Sequence, residues 1–275
     1  MDTYLFKSLL VEGKKKKFKT VLFLLKIFFK NLKVKIHNKM KFQLTEKDKS
    51  IFYSRIDRSF YFYGGLKKRL DNLYDEYLIN HVSFKNINRN LKIVDIGANI
   101  GEFSVSMRMN FPESSIFSIE PCKPEYNCLL ENSQKYDLFP FMIGISDKDE
   151  ILKLVDRNSS GDSVFLRKNI NLIISENEKT YDVNCINLTS FCSLNDIDHI
   201  DLLKIEAEGQ EPEVLSGIDF SNIFIDYITV DVGPERGDEK LDTHNSVREI
   251  LEKLNFSQIK FNKKRKIYLF KNQNK

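Results

Sequence analysis

The chain has 275 residues, 41% of them hydrophobic and 30% charged, which fits a globular protein with a substantial core and excludes a disordered or fibrous one. Its formal charge of +4 hides a split: residues 1–90 hold 21 Lys/Arg against 8 Asp/Glu, and residues 91–259 hold 15 against 31. The last sixteen residues add seven basic groups and no acid, so an acidic centre, which would repel a nucleic-acid backbone, lies between two basic ends.

At the amino end, four consecutive lysines (Lys14, Lys15, Lys16, Lys17) and Lys19 precede an apolar segment over residues 20–29. Lys26 interrupts it, no small-residue cleavage site follows, and about ten residues cannot span a bilayer that needs roughly 20. On a helix, Lys19, Lys26, Lys30 and Lys33 share one stripe opposite Phe18, Val21, Leu22, Leu25, Phe28, Phe29 and Leu32. Residues 14–35 therefore read as a helix in the interface of an anionic membrane, or as one packing on its own domain or a partner chain; the lysine run favours lipid. Residues 1–65 form this basic extension. Residues 66–80 read as a further helix after the break Tyr63-Gly64-Gly65, with Leu66, Leu70, Leu73, Tyr74 and Tyr77 at helical spacing.

A strand Leu91-Lys-Ile-Val-Asp-Ile96, a turn Gly97-Ala-Asn-Ile-Gly101 and a helix from Glu102 make the first half of a nucleotide-binding unit. The spacing Asp-x-Gly-x-x-x-Gly is not the G-x-G-x-x-G that seats a pyrophosphate. It suits S-adenosylmethionine: Asp95 at the strand end can receive the ammonium, directly or through water, while Gly97, Ala98, Asn99 and Gly101 make room for the amino-acid tail. A second strand closes at Glu120, placed for a bidentate bond to the ribose hydroxyls. Residues 123–136 read as a helix with Pro124 in its first turn, and residues 139–145 as a third strand. Ser146 and Asp147 then stand where the adenine amino group is expected, or form a simple turn.

Residues 150–191 break the alternation with short strands near 151–155, 163–167 and 181–186, an insertion expected to cover the acceptor. The fourth parallel strand, 200–205, carries Lys204 and leads to Glu206 and Glu208, which alternation turns to one side if the extended backbone persists. A carboxylate there can take the proton of an acceptor hydroxyl, or serve as a buried ion pair or a charge at the next helix start. The fifth strand ends at Asp231; with Arg236 and with His244 at the start of the next helix, it belongs to the acceptor side. A terminal hairpin over 257–271 presents Asn262-Lys-Lys-Arg-Lys266 at its tip, for acceptor phosphates or as a solvated turn. Cys122, Cys128, Cys185 and Cys192 show no C-x-x-C spacing and the four histidines are scattered, so reduced thiols, a cytoplasmic setting and no metal are expected.

Three segments, Val94-Asp-Ile-Gly-Ala-Asn-Ile-Gly101, Ser118-Ile-Glu-Pro121 and Asp201-Leu-Leu-Lys-Ile-Glu-Ala-Glu-Gly209, together resemble the FkbM family of S-adenosylmethionine-dependent methyltransferases. The likeness runs on through Gly217 and covers residues 66–255. The chain departs at Glu206, where the family usually has Asp, so the carboxylate reaches further by a methylene group. The resemblance implies a class I methyltransferase-like, Rossmann-type α/β fold: a seven-stranded mixed sheet with helices on both faces, spanning 66–275 behind the basic helical amino-terminal extension. It also implies O-methylation of small molecules or sugars. The expected reaction methylates a hydroxyl, of a sugar in a surface glycan or its precursor, on the inner membrane face. The alternatives are a membrane-recruited module that binds the cofactor without chemistry, and methylation of a natural product or nucleic acid.

Overall fold

The computed structural model describes residues 32–38, 41–54, 65–84, 90–157, 163–167, 170–176 and 178–274. The chain falls into two compact units, Met1–Arg69 and Leu70–Lys275. In the first, β1 (Leu32–Asn38), β2 (Lys41–Glu46) and β3 (Lys49–Tyr53) form an antiparallel meander. Val34 pairs with Leu44 and Leu44 with Ile51, and Phe42, Leu44, Ile51 and Tyr53 are buried. This corrects the expected helix at its carboxyl end: Leu32 and Lys33 stand in a strand. β-branched Val34 and Ile36 alternate there with Lys33 and Lys35, a period-two pattern that suits a paired edge better than a helical stripe. The remainder of that expected helix, residues 14–31, lies outside the described residues.

Helix α1 (Leu66–Glu76) carries the boundary between the units, after Arg69. Gly65 enters it with φ +96° beneath Glu46, whose Oε2 accepts the Lys67 amide at 3.1 Å. A Cβ at Gly65 would lie 2.6 Å from Glu46 Oε1. The helix stops four residues short of the expected end. Leu78 turns left-handed (φ 63°), and the Tyr77 carbonyl accepts Thr229 Oγ1 at 2.8 Å instead of continuing the helix.

The second unit proceeds through β4 (Lys92–Ile96), α2 (Glu102–Asn110), β5 (Ser115–Ile119), α3 (Lys123–Tyr136), β6 (Phe139–Phe141), β7 (Gly144–Ser146), β8 (Glu150–Asp156) and β9 (Val164–Phe165). It continues with β10 (Lys179–Asn187), α4 (Leu188–Leu194), β11 (His199–Ile205), α5 (Glu211–Ser216), β12 (Phe224–Asp231), α6 (His244–Lys253), β13 (Phe256–Asn262) and β14 (Ile267–Asn272). Seven strands form one sheet in the order β13-β14-β12-β11-β4-β5-β6. From β6 to β12 all are parallel, and β14 runs antiparallel to both neighbours. Chain order reverses between β4 and β11, and in such sheets ligands sit beyond the carboxyl ends of the strands at that switch.

The central strands are buried on both faces, as parallel strands covered by helices must be. Ile93, Val94, Ile200, Leu202, Leu203 and Ile205 are fully buried. Asp95 and Lys204 are buried with them and lie side by side in register. Opposite charges paired across two strands permit that burial; either one alone would be costly.

The expected third strand divides in two. β6 stays in the main sheet, and β7 joins a second sheet of order β7-β10-β8-β9. The insertion is thus a β8–β10 ribbon pinned to β7, over a small core of Cys122, Leu154, Phe165, Val183 and Cys185. Asn187 Oδ1 caps the helix that returns the chain to β11 by accepting the Ser190 amide at 2.8 Å. All four cysteines are buried free thiols, and among the described residues no helix is long and apolar enough to cross a membrane.

Candidate active site

The turn after β4 is held from both sides. Gly97 and Ala98 donate to the Ile119 carbonyl at 3.0 and 2.9 Å, and Asn132 Nδ2 donates to Ile100 O at 2.7 Å. Gly97 has φ +71°, and a Cβ there would fall 1.8 Å from the Glu206 carbonyl oxygen. Only glycine allows β4 and β11 to end so close together. Glu120 closes β5 with Oε2 accepting the Asn99 amide and Oε1 the Cys122 amide, each at 2.8 Å. A carboxylate at this strand end is of the chemical type that accepts ribose hydroxyls. This donor set, with no phosphate cradle, fits S-adenosylmethionine.

Asp95 is fully buried, Oδ2 accepts Ser104 Oγ at 2.6 Å, and Ser104 meets Ser118 Oγ at 2.7 Å. Oδ1 takes no aligned hydrogen bond and is held by charge, 3.0 Å from Lys204 Nζ. Asp95 also reaches the turn through its ion partner: Lys204 Nζ donates to Gly97 O at 2.8 Å and Ile96 O at 3.2 Å. The same ammonium lies 3.1 Å from Glu206 Oε2, which also accepts the Tyr77 hydroxyl. Burial alone would weaken the Lys204 charge, but Asp95 and Glu206 outweigh it and hold the lysine above its ordinary range. Burial likewise works against the Glu206 charge, and Lys204, the Tyr77 hydroxyl and Arg265 overcome it, so Glu206 is held ionised, well below the usual carboxylate range. Tyr77 is pushed well above 10 by burial and then by Glu206.

The acceptor side is built from the ends of β11 and β12 and their loops. The extended backbone does not persist past Ile205: Glu208 is left-handed (φ 50°), which corrects the expectation that it shares a side with Glu206. Glu211 orders this loop, with Oε1 accepting the Ala207 and Gly209 amides at 2.9 and 3.1 Å and Oε2 the Thr243 hydroxyl at 2.9 Å. Asp231 is 4% exposed, and its Oδ1 accepts the Gly233 amide at 2.8 Å. Burial, then the Glu206 charge, raises it to about 7. Arg265, from the hairpin tip, lies 3.7 Å from Glu76, and its charge acts on Tyr77, Glu206 and Asp231.

The remaining expected residues have partners of their own. His244 faces the Tyr268 hydroxyl, 2.9 Å from Nδ1, and packs on Phe261. Arg236 is spent on Glu213, at 2.8 Å, and on the Gly209 carbonyl. Ser146 Oγ donates to Asp147 Oδ1 at 2.9 Å, and Arg167 of the insertion binds both residues and Gln210. Against burial, these Ser146 and Arg167 bonds lower Asp147. Asp238, in the loop after β12, ties down the insertion through Arg157 at 2.7 Å and the Ile173 amide. Between them lies a cavity of about 130 Å³ lined by Ile170, Asn171, Arg236, Gly237, Glu239 and Leu241. Among the described residues, His199, Asp201 and Asp226 could hold a metal; they lie at the amino ends of β11 and β12, the opposite edge of the sheet.

Tyr77, Ser104, Ser118, Arg167 and Glu211 were not singled out from sequence. Tyr77 read as part of an apolar stripe, and the two serines carry no local signal. Glu211 had one: a Glu two residues after a loop glycine, at a helix start, can bond back to the loop amides.

A strand-order switch, a glycine turn after β4, a carboxylate closing β5 and an antiparallel β14 in a seven-stranded sheet give the class I methyltransferase-like fold. Residues 95–257, more than half the chain, match the family model described as a methyltransferase FkbM domain. The chain belongs to the FkbM methyltransferase family, whose methyl donor is S-adenosylmethionine. It is 26% identical over 165 residues to Methyltransferase 1 of Beauveria bassiana, covering 53% of this chain and 66% of that protein. It is 27% identical over 208 residues to Methyltransferase sdnD of Sordaria araneosa, covering 64% and 76%. Among solved structures, an FkbM methyltransferase from Methylobacillus flagellatus aligns over 74% of this chain and 50% of that one, at 13% identity and TM-score 0.46.

Proposed function

We propose that the chain transfers a methyl group from S-adenosylmethionine to a hydroxyl oxygen, that of a sugar in a surface glycan or its precursor. The observation that carries an oxygen acceptor is the pair of carboxylates, Glu206 and Asp231, at the ends of adjacent strands beside the cofactor turn. Attack by an alcohol leaves a proton that a nearby carboxylate can take. The cofactor, when bound, supplies an activated methyl group on a sulfonium.

The residues of the chain do the rest. Glu120 is set to hold the ribose, and Gly97, Ala98, Asn99 and Gly101 shape the turn for the amino-acid tail. Lys204 fixes the turn to the end of β11, and so sets the spacing between cofactor and acceptor on which methyl transfer depends. Ser146 and Asp147, braced by Arg167, form the wall proposed for adenine. Insertion and β12 loop, joined by Asp238, form the proposed acceptor cover. The basic segment 14–31 is proposed to bring the enzyme to an anionic membrane that carries lipid-linked acceptor.

Mass spectrometry of surface polysaccharide from cells with and without the protein tests the reading. The expected result is one methyl ether lost with the protein; an unchanged methylation pattern overturns the glycan acceptor.

A further inference from the structure

Two carboxylates stand at the acceptor edge, and their surroundings assign them different work. Glu206 is ion-paired: its Oε2 takes both the Tyr77 hydroxyl and Lys204, and the ammonium 3.1 Å away keeps it ionised and makes it a poor proton acceptor. Asp231 has no cation within ion-pair distance among the described residues. Its Oδ1 takes the Gly233 amide; Oδ2 takes no hydrogen bond among the described residues, yet it is not among the sealed, unpartnered buried atoms. Asp231 is fixed in place at the end of β12 with one oxygen available.

We infer that Asp231 is the proton acceptor of the reaction, with its Oδ2 receiving the acceptor hydroxyl's proton, and that Glu206 is a fixed anion at the end of the neighbouring strand. This rests on the hydroxyl reading above. As the acceptor oxygen forms its bond to the methyl carbon, the carbon–sulfur bond breaks with its electron pair left on sulfur. The hydroxyl proton passes to Asp231, which releases it to solvent after the product leaves. The groups facing Asp231 fit the role. Glu206 at the end of β11 and Glu211 of α5 are acids, and the Tyr77 phenol also lies within reach of its charge, while Arg265 of the hairpin tip and the Gly233 amide temper them. Burial, then the acids, prevails, which places Asp231 near neutrality, where a general base is most effective.

Rates of S-adenosylhomocysteine release test this, using the full chain, S-adenosylmethionine and a panel of methyl glycosides between pH 5 and 9. Wild type is expected to rise tenfold per pH unit below about 7 and level off above it. Asp231→Asn should be slower by roughly 10²–10⁴-fold with a flat profile and an unchanged KM for the donor. Glu206→Gln should keep the break but move it to lower pH, because the charge that raises Asp231 is gone. A break that survives Asp231→Asn, or one that vanishes in Glu206→Gln, overturns the assignment. A second measurement needs no acceptor: ¹³C-carboxyl spectra of the S-adenosylhomocysteine complex should show one aspartate titrating near 7, absent in Asp231→Asn. If every aspartate finishes titrating below pH 5, the inference fails whatever the glycosides do. A wild type inert toward all glycosides, with that signal present, counts against the glycan reading alone.

Discussion

Replacing Lys204 by Met keeps the length and volume of the side chain and removes its charge. The ammonium now lies 3.0 Å from Asp95 Oδ1, 3.1 Å from Glu206 Oε2 and 2.8 Å from Gly97 O. Glu206 would be left with the Tyr77 hydroxyl, the Arg265 charge and a side chain still 26% exposed. Asp95, fully buried, would keep only Ser104. Breaking a buried ion pair by removing one partner typically costs about 3–5 kcal/mol, a large share of the roughly 5–15 kcal/mol that holds a domain together. Urea unfolding followed by circular dichroism measures it. Adding Asp95→Asn to Lys204→Met should return roughly 2 kcal/mol, because the stranded charge goes with it. A loss below about 1 kcal/mol for Lys204→Met, or no recovery in the double variant, refutes the reasoning.

Gly97→Ala should lower S-adenosylmethionine affinity more than tenfold by calorimetry, since its Cβ would meet Glu206 O at 1.8 Å and force β4 and β11 apart. Asp231→Asn should stabilise the fold at alkaline pH. The Asp231 proton is held more tightly folded, at about 7 against 3.8, so wild type loses stability as pH rises through that window. The variant should gain roughly 2–4 kcal/mol at pH 8 and almost nothing below pH 4, as read by thermal unfolding across pH. Arg167→Ala should speed hydrogen exchange in β7 and in residues 206–210, which it ties together through Ser146, Asp147 and Gln210, while β4 amides stay protected.

The local parts of the site were legible because local chemistry makes them. A glycine turn after an apolar strand and a Glu closing the next strand need no knowledge of distant residues, and Glu120 sits as the spacing implies. Pairings set by strand register were not legible. Asp95 and Lys204 are 109 positions apart, and only the β4–β11 ladder makes them neighbours, so the counter-charge role of Asp95 has no local signal. Tyr77 and Arg265 arrive from opposite ends of the unit, and neither carries a signal that separates it from an apolar stripe or a solvated turn. The split after Phe141 was hidden because residues 139–145 are continuously apolar apart from Pro140 and Gly144; a sheet change leaves no mark in such a run. Periodicity also misled at Leu32 and Lys33, where a helical stripe was extended into β1.

The most direct test follows the methyl carbon itself. The full chain is incubated with S-adenosylmethionine carrying a ¹³C-methyl group and with deacylated surface glycan, and the product is read by carbon–proton NMR. The expected product is a methyl ether on a sugar oxygen, with one S-adenosylhomocysteine formed per methyl transferred, and both are lost in Glu120→Ala. A labelled methyl on carbon or nitrogen, or full activity in Glu120→Ala, would contradict the proposed function.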